Sequence, residues 1–397
     1  MKFSELSKPS SYTLSCALDQ FVMAALHLQM AVVCWQSPQK AGIHALACMP
    51  ERVGSNSDLS QKDGFLLSPF ATPQSAEWYP ADFMYEEQGL GSWSFDDLVV
   101  DEATRTRFEE AINQKSIGNW HGLNAKNHNY YASREEYEDL VAKSVIEIEK
   151  HTFLKCVTSR AALHPLPVGF NTIEAFKKLA AAYPKAFVCL VSSPKHGTWL
   201  CATPETLIST DEKGIFRTMA LAGTQAKNNF QHEKDVPWKQ KEIEEQALVS
   251  RYIINCFKKI RLREFEEIGP RTRFAGNLAH LCSEFVVDMN KTNFQELPRV
   301  MLELLHPTSA VCGMPKEAAL GFLNQHEKHD RRLYSGYLGA VTEHSTHLFV
   351  MLRCVQLLEH GLIFYAGGGI VADSDPTKEW EETLHKMNTL LSVLDKF

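Results

Sequence analysis

Apolar segments separated by turn residues recur along most of the chain, and they limit its fold more than any other feature of the sequence. The last of them form a hairpin pattern, HLFVMLRCVQLLEHGLIFYAG, which turns at His360 and Gly361. Earlier segments of the same kind are AFVCLVSS, TWLCATPETLIS and IFRTMALAGT. Strands joined by hairpins, with helices interspersed, predict an α+β fold with largely antiparallel sheets.

Helices are predicted between these strands. A capping box in SREE, beginning at Ser133, opens a helix with apolar residues at helical spacing. Further helices are predicted near 172–182, from about 238 to 262, and after Pro315. Residues 1–70 are interpreted as strands and a short helix.

Composition excludes several classes of function. The 397 residues, 44% hydrophobic and 22% charged, are typical of a soluble globular protein with a large core. A net charge of −7 argues against nucleic acid or an anionic membrane as the main partner. The ten cysteines include no C-x-x-C pair, which favours free thiols in a reducing cytoplasm. Residues 71–132, rich in Pro, Asp, Asn, Gly and aromatic residues, are interpreted as a surface excursion or a mobile segment, and no chemistry is assigned to them.

The stretch from Phe364 to Met387 combines glycine with charge. Three consecutive glycines at 367–369 allow close approach of the backbone to a ligand and accept positive φ, so we expect a glycine loop. A polar cap and a proline then begin a helix on which Glu379, Glu382 and Lys386 share one face. Such a loop and helix are suited to holding a small anion through a divalent metal. The alternative is a glycine turn followed by a solvated helix.

Several short motifs follow one another in a defined order. They are KCVTSR at 155–160, ATPE at 202–205, LAGT at 221–224, the glutamate-rich helix at 242–245, LHPTSA at 305–310, YSGYLG at 334–339, LR at 352–353, AGGGI at 366–370 and EWEET at 379–383. In number and order these motifs resemble those of the chorismate-utilising enzymes, the group that contains isochorismate, anthranilate, aminodeoxychorismate and salicylate synthases. The resemblance implies one chorismate-binding domain over 1–397, similar to component I of anthranilate synthase. It places the catalytic core with all the motifs in 133–397 and a weaker N-terminal part in 1–132.

Two residues match the acid and base of this family. Lys155 resembles the general base that activates water, and Glu205 resembles the general acid. Exchange of the C4 hydroxyl of chorismate for a C2 hydroxyl requires one group to deprotonate water and another to protonate the departing oxygen. Lys155 then needs burial or a nearby cation to lower its pKa, and Glu205 needs the opposite adjustment. Without the resemblance, the two residues are a lysine at a strand edge and a glutamate in a turn.

The resemblance also implies Mg²⁺ held by acidic residues from two helices. Glu245 and Glu382 match the principal ligands, with Glu242 and Glu379 as neighbours reached directly or through water. Glu242 and Glu245 are predicted on the exposed face of the helix at 238–262. Mg²⁺ prefers hard oxygen ligands and retains several waters, so it can bridge carboxylates to the ring carboxylate of the substrate. The alternative is two solvated glutamate faces.

The remaining matches concern substrate positioning. Arg353 and Lys386 resemble cations that hold substrate carboxylates, and Tyr334 resembles a phenol that contacts the enolpyruvyl carboxylate. Backbone amides around Gly336 and the three glycines are candidates for an anion nest. His280 resembles an active-site histidine, with a satisfied structural histidine as the alternative. The expected substrate-binding set is His280, Ala310, Tyr334, Arg353, Gly367, Gly368, Gly369, Lys386, Gly223 and Thr224.

Two positions discriminate among the reactions of the family. Ala222 stands where aminodeoxychorismate synthases that use a covalent lysine have Lys. Ala310 stands where salicylate and anthranilate synthases usually have Thr and isochorismate synthases usually have Ala. Both favour water as the nucleophile. Departures at Gln225, Gln246 and Ser309, and AGGG in place of AGAG, leave the fine specificity and the metal shell open.

We therefore expect a Mg²⁺-dependent, cytoplasmic isochorismate synthase that serves menaquinone synthesis and has no glutamine amidotransferase subunit. A siderophore pathway needs the same product and stays open. A salicylate synthase, which adds elimination of pyruvate, is a second enzymatic alternative, and an anthranilate-type enzyme would require an amidotransferase or ammonia. A chorismate-binding protein without turnover is the alternative from another class.

Overall fold

The computed structural model describes residues 14–55, 59, 63–71, 75–87, 91–122, 130–227, 230–275 and 278–397. The strands in these ranges are β1 (Leu14–Ser15), β2 (Ala31–Gln36), β3 (His44–Cys48), β4 (Gly54–Ser55), β5 (Gly64–Ser68), β6 (Glu77–Pro80), β7 (Phe83–Glu86), β8 (Ser92–Phe95), β9 (Lys155–Pro165), β10 (Phe187–Ser193), β11 (Gly197–Thr203), β12 (Thr206–Thr210), β13 (Ile215–Ala226), β14 (Glu266–Ala275), β15 (Leu278–Asp288), β16 (Gly313–Met314), β17 (Tyr337–Val341), β18 (Thr346–Val350), β19 (Cys354–Leu357) and β20 (Gly361–Ile370). The helices are α1 (Leu18–His27), α2 (Glu102–Asn113), α3 (Arg134–Glu149), α4 (Thr172–Ala182), α5 (Gln240–Lys259), α6 (Met289–Thr292), α7 (Leu297–Leu305), α8 (Lys316–His326) and α9 (Pro376–Leu394).

The strands form two sheets. The first has the order β1-β8-β7-β3-β2-β10-β11-β19-β20-β9-β16, and the second has the order β14-β15-β13-β12-β18-β17-β5-β6-β4. Neighbouring strands are antiparallel throughout the described part of the chain. The predicted α+β fold with mainly antiparallel sheets flanked by helices is confirmed.

Three apolar clusters hold the layers together. One lies between the sheets, where Phe187 of β10 stacks on Phe349 of β18 with ring centroids 4.2 Å apart. A second packs α1, α2, α4 and α9 against the first sheet, and a third packs α3, α5, α7 and α8 against the second. Each fully buried aromatic or aliphatic side chain contributes about 1.5–3 kcal/mol to this packing. No helix in the described ranges is long and apolar enough to cross a membrane.

Local signals placed the helix starts correctly. Ser133 caps α3, and the Glu136 carboxylate accepts from the Ser133 N–H at 3.0 Å, as the capping box predicts. Asp375 caps α9 by accepting from the N–H of Lys378 at 2.9 Å. The remaining predicted helices correspond to α4, α5 and α8.

The interpretation of residues 71–132 as a surface excursion is wrong for the residues described. This part of the chain supplies β6, β7, β8 and α2, and its aromatic residues Trp78, Tyr79, Phe83 and Trp93 are buried. Phe83 stacks on Phe108 at 4.2 Å between ring centroids. Strands from the first third of the chain also pair with later ones, β2 with β10 and β5 with β17. Burial of its aromatic side chains stabilises strands and a helix in this segment, although its composition is rich in turn residues.

Candidate active site

A cleft lies where strands of both sheets meet α5 and α9, and its space, including the part open to solvent, is about 770 Å³. Most of the residues that the sequence singled out line it. These residues are Glu205, Gly223, Glu245, His280, Ala310, Tyr334, Arg353, Gly367, Gly369, Glu382 and Lys386. Residues as far apart in the chain as Glu205 and Lys386 thus share one site.

Five predicted residues lie outside the lining of this cleft. Lys155 and Gly368 lie directly behind it, against Glu245 and Glu379 respectively. The Glu242 carboxylate accepts from the N–H of Lys239 at 3.0 Å and thereby caps α5. The backbone of Thr224 pairs with that of His280, and the Thr224 side chain lies outside the described residues. Glu379, the fifth, is buried at the start of α9.

The Lys155 ammonium lies 2.8 Å from Glu245 Oε1, and only 1% of its side chain is exposed. Of the two conditions named for Lys155, burial or a nearby cation, the structure shows burial, and the charge beside the ammonium is the anion of Glu245. Burial favours the neutral form of Glu245, yet the Lys155 charge and hydrogen bond hold the pKa of Glu245 below its ordinary value. The Gly223 N–H also donates to Glu245 Oε2 at 3.2 Å. Glu245 faces the cleft, so its prediction on an exposed helix face is wrong.

Glu205 has the environment of a carboxylic acid that keeps its proton near neutral pH. It follows β11, is 5% exposed, and lies within the cleft lining. Burial raises the pKa of Glu205 to about 7, although the charges of Lys155, Arg353 and Lys386 oppose the shift. A carboxyl group of this kind can donate a proton at neutral pH.

Two cations face Glu205 across the cleft. Arg353 has φ of 46°, a left-handed conformation that is unusual for a residue with a side chain and that often marks a functional position. Its Nη1 donates to Thr389 Oγ1 at 3.2 Å, which fixes the guanidinium. Lys386 Nζ donates to Gly367 O at 2.7 Å and pairs with Glu382 at 2.6 Å. The cleft therefore presents positive charge to an anionic ligand.

His280 and Tyr334 complete the polar lining. His280 Nδ1 lies 3.3 Å from Gly223 O, and burial lowers the pKa of the imidazole to about 3. His280 is therefore neutral at neutral pH. Tyr334 stacks on Tyr365 with ring centroids 5.7 Å apart, and burial raises the pKa of its phenol to about 12. The phenol stays protonated and is able to donate a hydrogen bond to a carboxylate.

The predicted glycine loop is instead part of β20, which pairs with β9. The three glycines have no left-handed φ, so close approach is what requires them. A Cβ atom at Gly368 would lie 2.7 Å from Glu379 Oε2, and one at Gly369 would lie 2.7 Å from Glu245 Oε1. Successive N–H groups of a strand point to opposite edges, so these amides do not form the predicted anion nest. Gly336 donates its N–H to Leu333 O at 3.0 Å and lies outside the cleft lining.

The predicted metal ligands are hard oxygen donors of the kind that suits Mg²⁺. Three of them pair with lysines, Glu245 with Lys155, Glu382 with Lys386, and Glu379 with Lys241. Among the described residues no three acidic, histidine or cysteine side chains cluster as metal ligands do. Glu379 is 2% exposed, and its Oε2 has no hydrogen-bond partner among these residues. Burial and the charge of Glu382 raise the pKa of Glu379. A buried carboxylate oxygen in this state fits a cation as partner.

The sequence did not reveal a buried ion pair that holds two walls of the cleft. Arg331 pairs with Glu327 at 2.6 Å, and both side chains are at most 6% exposed. Its Nη1 donates to Val311 O at 2.8 Å and its Nη2 donates to Val157 O at 2.7 Å. Val157 and Val311 both line the cleft. The sequence around Arg331, KHDRRLYSG, did not predict a buried arginine, because charged residues beside turns are usually exposed.

We expect Arg331→Met to lower the free energy of unfolding by about 3–5 kcal/mol, because it leaves Glu327 buried without its partner. Chemical denaturation checks this prediction. Arg299→Met removes exposed pairs with Glu296 and Glu303 and serves as the control, with an expected change below about 1 kcal/mol. Equal losses from the two variants would contradict the assignment.

Comparison with known proteins shows which family the chain belongs to. The family described as chorismate binding enzyme matches residues 96–395. Isochorismate synthase MenF of Haemophilus influenzae is 25% identical over 267 residues, which span 66% of this chain and 61% of that protein. Isochorismate synthase EntC of Escherichia coli is 26% identical over 294 residues, 72% of this chain and 74% of that protein.

Solved structures show the same fold. MenF, the menaquinone-specific isochorismate synthase from Escherichia coli, superposes with a TM-score of 0.76 at 19% identity and covers 97% of this chain and 95% of its own. Anthranilate synthase component I from Streptococcus pneumoniae superposes with a TM-score of 0.66 at 16% identity, covering 96% of this chain and 91% of its own. Every residue that lines the cleft lies within the matched range of 96–395. The chain belongs to the family of chorismate-binding enzymes.

Proposed function

We propose that this protein is an isochorismate synthase, which converts chorismate to isochorismate with Mg²⁺. The observation that carries the proposal is that a buried lysine and a carboxylic acid protonated near neutral pH serve one cleft that also presents cations and carboxylates. The names of the similar proteins from Haemophilus influenzae and Escherichia coli support the same reaction.

The reaction needs two proton transfers at the substrate ring, and this chain offers one group for each. Lys155 in its neutral form accepts a proton from the water that adds at C2. Glu205 donates a proton to the oxygen that leaves C4, which its raised pKa permits. Ala222, which lines the cleft, has no amine for a covalent route through this position, and this favours water as the nucleophile.

The other polar residues position the substrate. Arg353 and Lys386 hold its carboxylates, Arg353 through a fork of two N–H groups and Lys386 as a point charge. Tyr334 donates its phenol hydrogen to the enolpyruvyl carboxylate, and His280 and Ala310 shape the wall beside the ring. Glu245 and Glu382, with Glu379 beside them, hold the metal ion. When bound, Mg²⁺ neutralises the repulsion between these carboxylates and the ring carboxylate.

The wider role of the protein follows from this reaction. We propose that 1–397 form a single domain, that the enzyme works in the cytoplasm, and that it feeds menaquinone synthesis without an amidotransferase subunit. A siderophore pathway draws on the same product, so the genetic test is which quinone or siderophore disappears when the gene is deleted.

We expect purified protein with chorismate and Mg²⁺ to give isochorismate, detected by liquid chromatography, and to give only background product with a chelator. Pyruvate release, followed with a coupled dehydrogenase, is expected to stay at background, and added ammonium is expected to leave the product unchanged. Stoichiometric pyruvate would establish a salicylate synthase instead, and an aminated ring would establish an anthranilate-type enzyme. Chorismate binding without any product would establish a binding protein.

A further inference from the structure

Lys241 belongs to no motif described above, yet it joins the two acidic helices. It lies on α5, one turn before Glu245, and its Nζ is 3.1 Å from Oε1 of Glu379 on α9. Its side chain is 37% exposed, whereas that of Glu379 is 2% exposed. A solvent-accessible ammonium therefore neutralises a carboxylate that solvent hardly reaches.

The contact with Lys241 leaves part of the hydrogen-bonding capacity of the Glu379 carboxylate unused. Oε1 also accepts from Ser374 Oγ at 2.8 Å, but Oε2 has no hydrogen-bond partner among the described residues. Burial, and after it the charge of Glu382, raises the pKa of Glu379. The charges of Glu379, Glu382 and Asp373 raise the pKa of Lys241 against the effect of burial. The Lys241 ammonium thus lies in a region of concentrated negative charge and is the cation nearest to Glu379 in the contacts described.

We propose that Lys241 is an internal cation that competes with Mg²⁺ for the carboxylate of Glu379, and that it thereby lowers the metal affinity of the site. The inference rests on the proposed function, because it takes Glu379 as part of the Mg²⁺ site. Lys155 and Lys386 pair with the other ligands but have roles of their own toward the substrate, whereas Lys241 lies outside the lining of the cleft. It is a positioning residue and does not touch substrate.

If Lys241 competes with Mg²⁺, removal of its charge lowers the stability of the metal-free protein and raises the affinity for Mg²⁺. Without Mg²⁺, the protein loses the partner of a buried carboxylate and becomes less stable. In a protein without the Lys241 charge, Mg²⁺ does not have to displace an ammonium from Glu379 and is not repelled by it. The ion therefore binds more tightly. A lysine that merely stabilised the helix pair would give the first effect alone.

The test is calorimetric titration of the full chain with MgCl₂ in the absence of substrate. We expect Lys241→Met to bind Mg²⁺ about fivefold more tightly than the parent protein. In EDTA its Tm is expected to fall by about 2–4 °C. Lys241→Arg keeps the charge and is expected to match the parent in both measurements. Lys241→Gln provides a second neutral variant if the methionine variant folds poorly.

Glu379→Gln tests the site of the competition, because in that background Lys241→Met is expected to leave Mg²⁺ affinity unchanged. Equal or weaker Mg²⁺ binding by Lys241→Met, or tighter binding by Lys241→Arg, would overturn the inference. A parent protein that binds no Mg²⁺ would instead overturn the proposed cofactor, so the two failures are distinguishable.

Discussion

Lys155→Gln is expected to lower kcat for isochorismate formation by about 10²–10⁴-fold, the usual contribution of a general base. Glutamine retains a hydrogen-bond donor for Glu245, which lies 2.8 Å from the lysine ammonium, but it cannot accept a proton from water. Steady-state kinetics by product chromatography measures the effect. Substrate affinity is expected to change far less, because Lys155 lies behind the cleft and not among the cations that line it.

Further variants separate base catalysis from packing. Lys155→Arg keeps the charge opposite Glu245 but cannot lose a proton, and it is expected to be as inactive as Lys155→Gln. Lys155→Ala with added small primary amines is expected to regain part of its activity. Lys150→Gln removes an exposed lysine that pairs with Glu147, and it is expected to be fully active. Activity retained by Lys155→Arg would exclude Lys155 as the base.

Glu205→Gln is expected to reduce kcat by a similar factor, because the amide cannot protonate the departing oxygen. The parent protein is expected to lose activity as pH rises above about 7, where the buried Glu205 gives up its proton. The residual activity of Glu205→Gln should lack this decline. Rate measurements from pH 5.5 to 9 check both expectations, with the exposed Glu303→Gln as a control that keeps the parent profile.

Stability gives a readout of Glu205 that is independent of catalysis. Its pKa is raised from 4.5 to about 7, so the folded protein binds this proton more tightly than the unfolded chain. The resulting stabilisation is present below the unfolded pKa and is lost as pH rises through about 7. Glu205→Gln stays neutral, so we expect its free energy of unfolding to decline less than that of the parent between pH 5 and 8. Identical pH profiles of stability for the parent protein and Glu205→Gln would contradict the raised pKa of Glu205.

The sequence alone determined those features that depend on neighbours within a few positions. Ser133 and Asp375 cap the helices where predicted, because a cap joins groups three residues apart. Apolar segments separated by turn residues predicted most of the strands, because this pattern is also a property of neighbouring residues. The motifs also named most of the residues that line the cleft, since each motif is short and contiguous.

Tertiary structure decided whatever depends on partners far along the chain. The glycines at 367–369 became a strand because β9, some 200 residues earlier, was available to pair with them. The aromatic residues of 75–95 became core because they pack in the three apolar clusters, against α1, α2 and strands elsewhere in the chain. Long separations also lie between Lys241 and Glu379, which are 138 positions apart, and between Arg331 and Val157, which are 174 positions apart. Burial and charge pairing between distant residues are properties of the assembled fold, so local pattern did not predict the ion pairs of Glu245 with Lys155 and of Glu379 with Lys241.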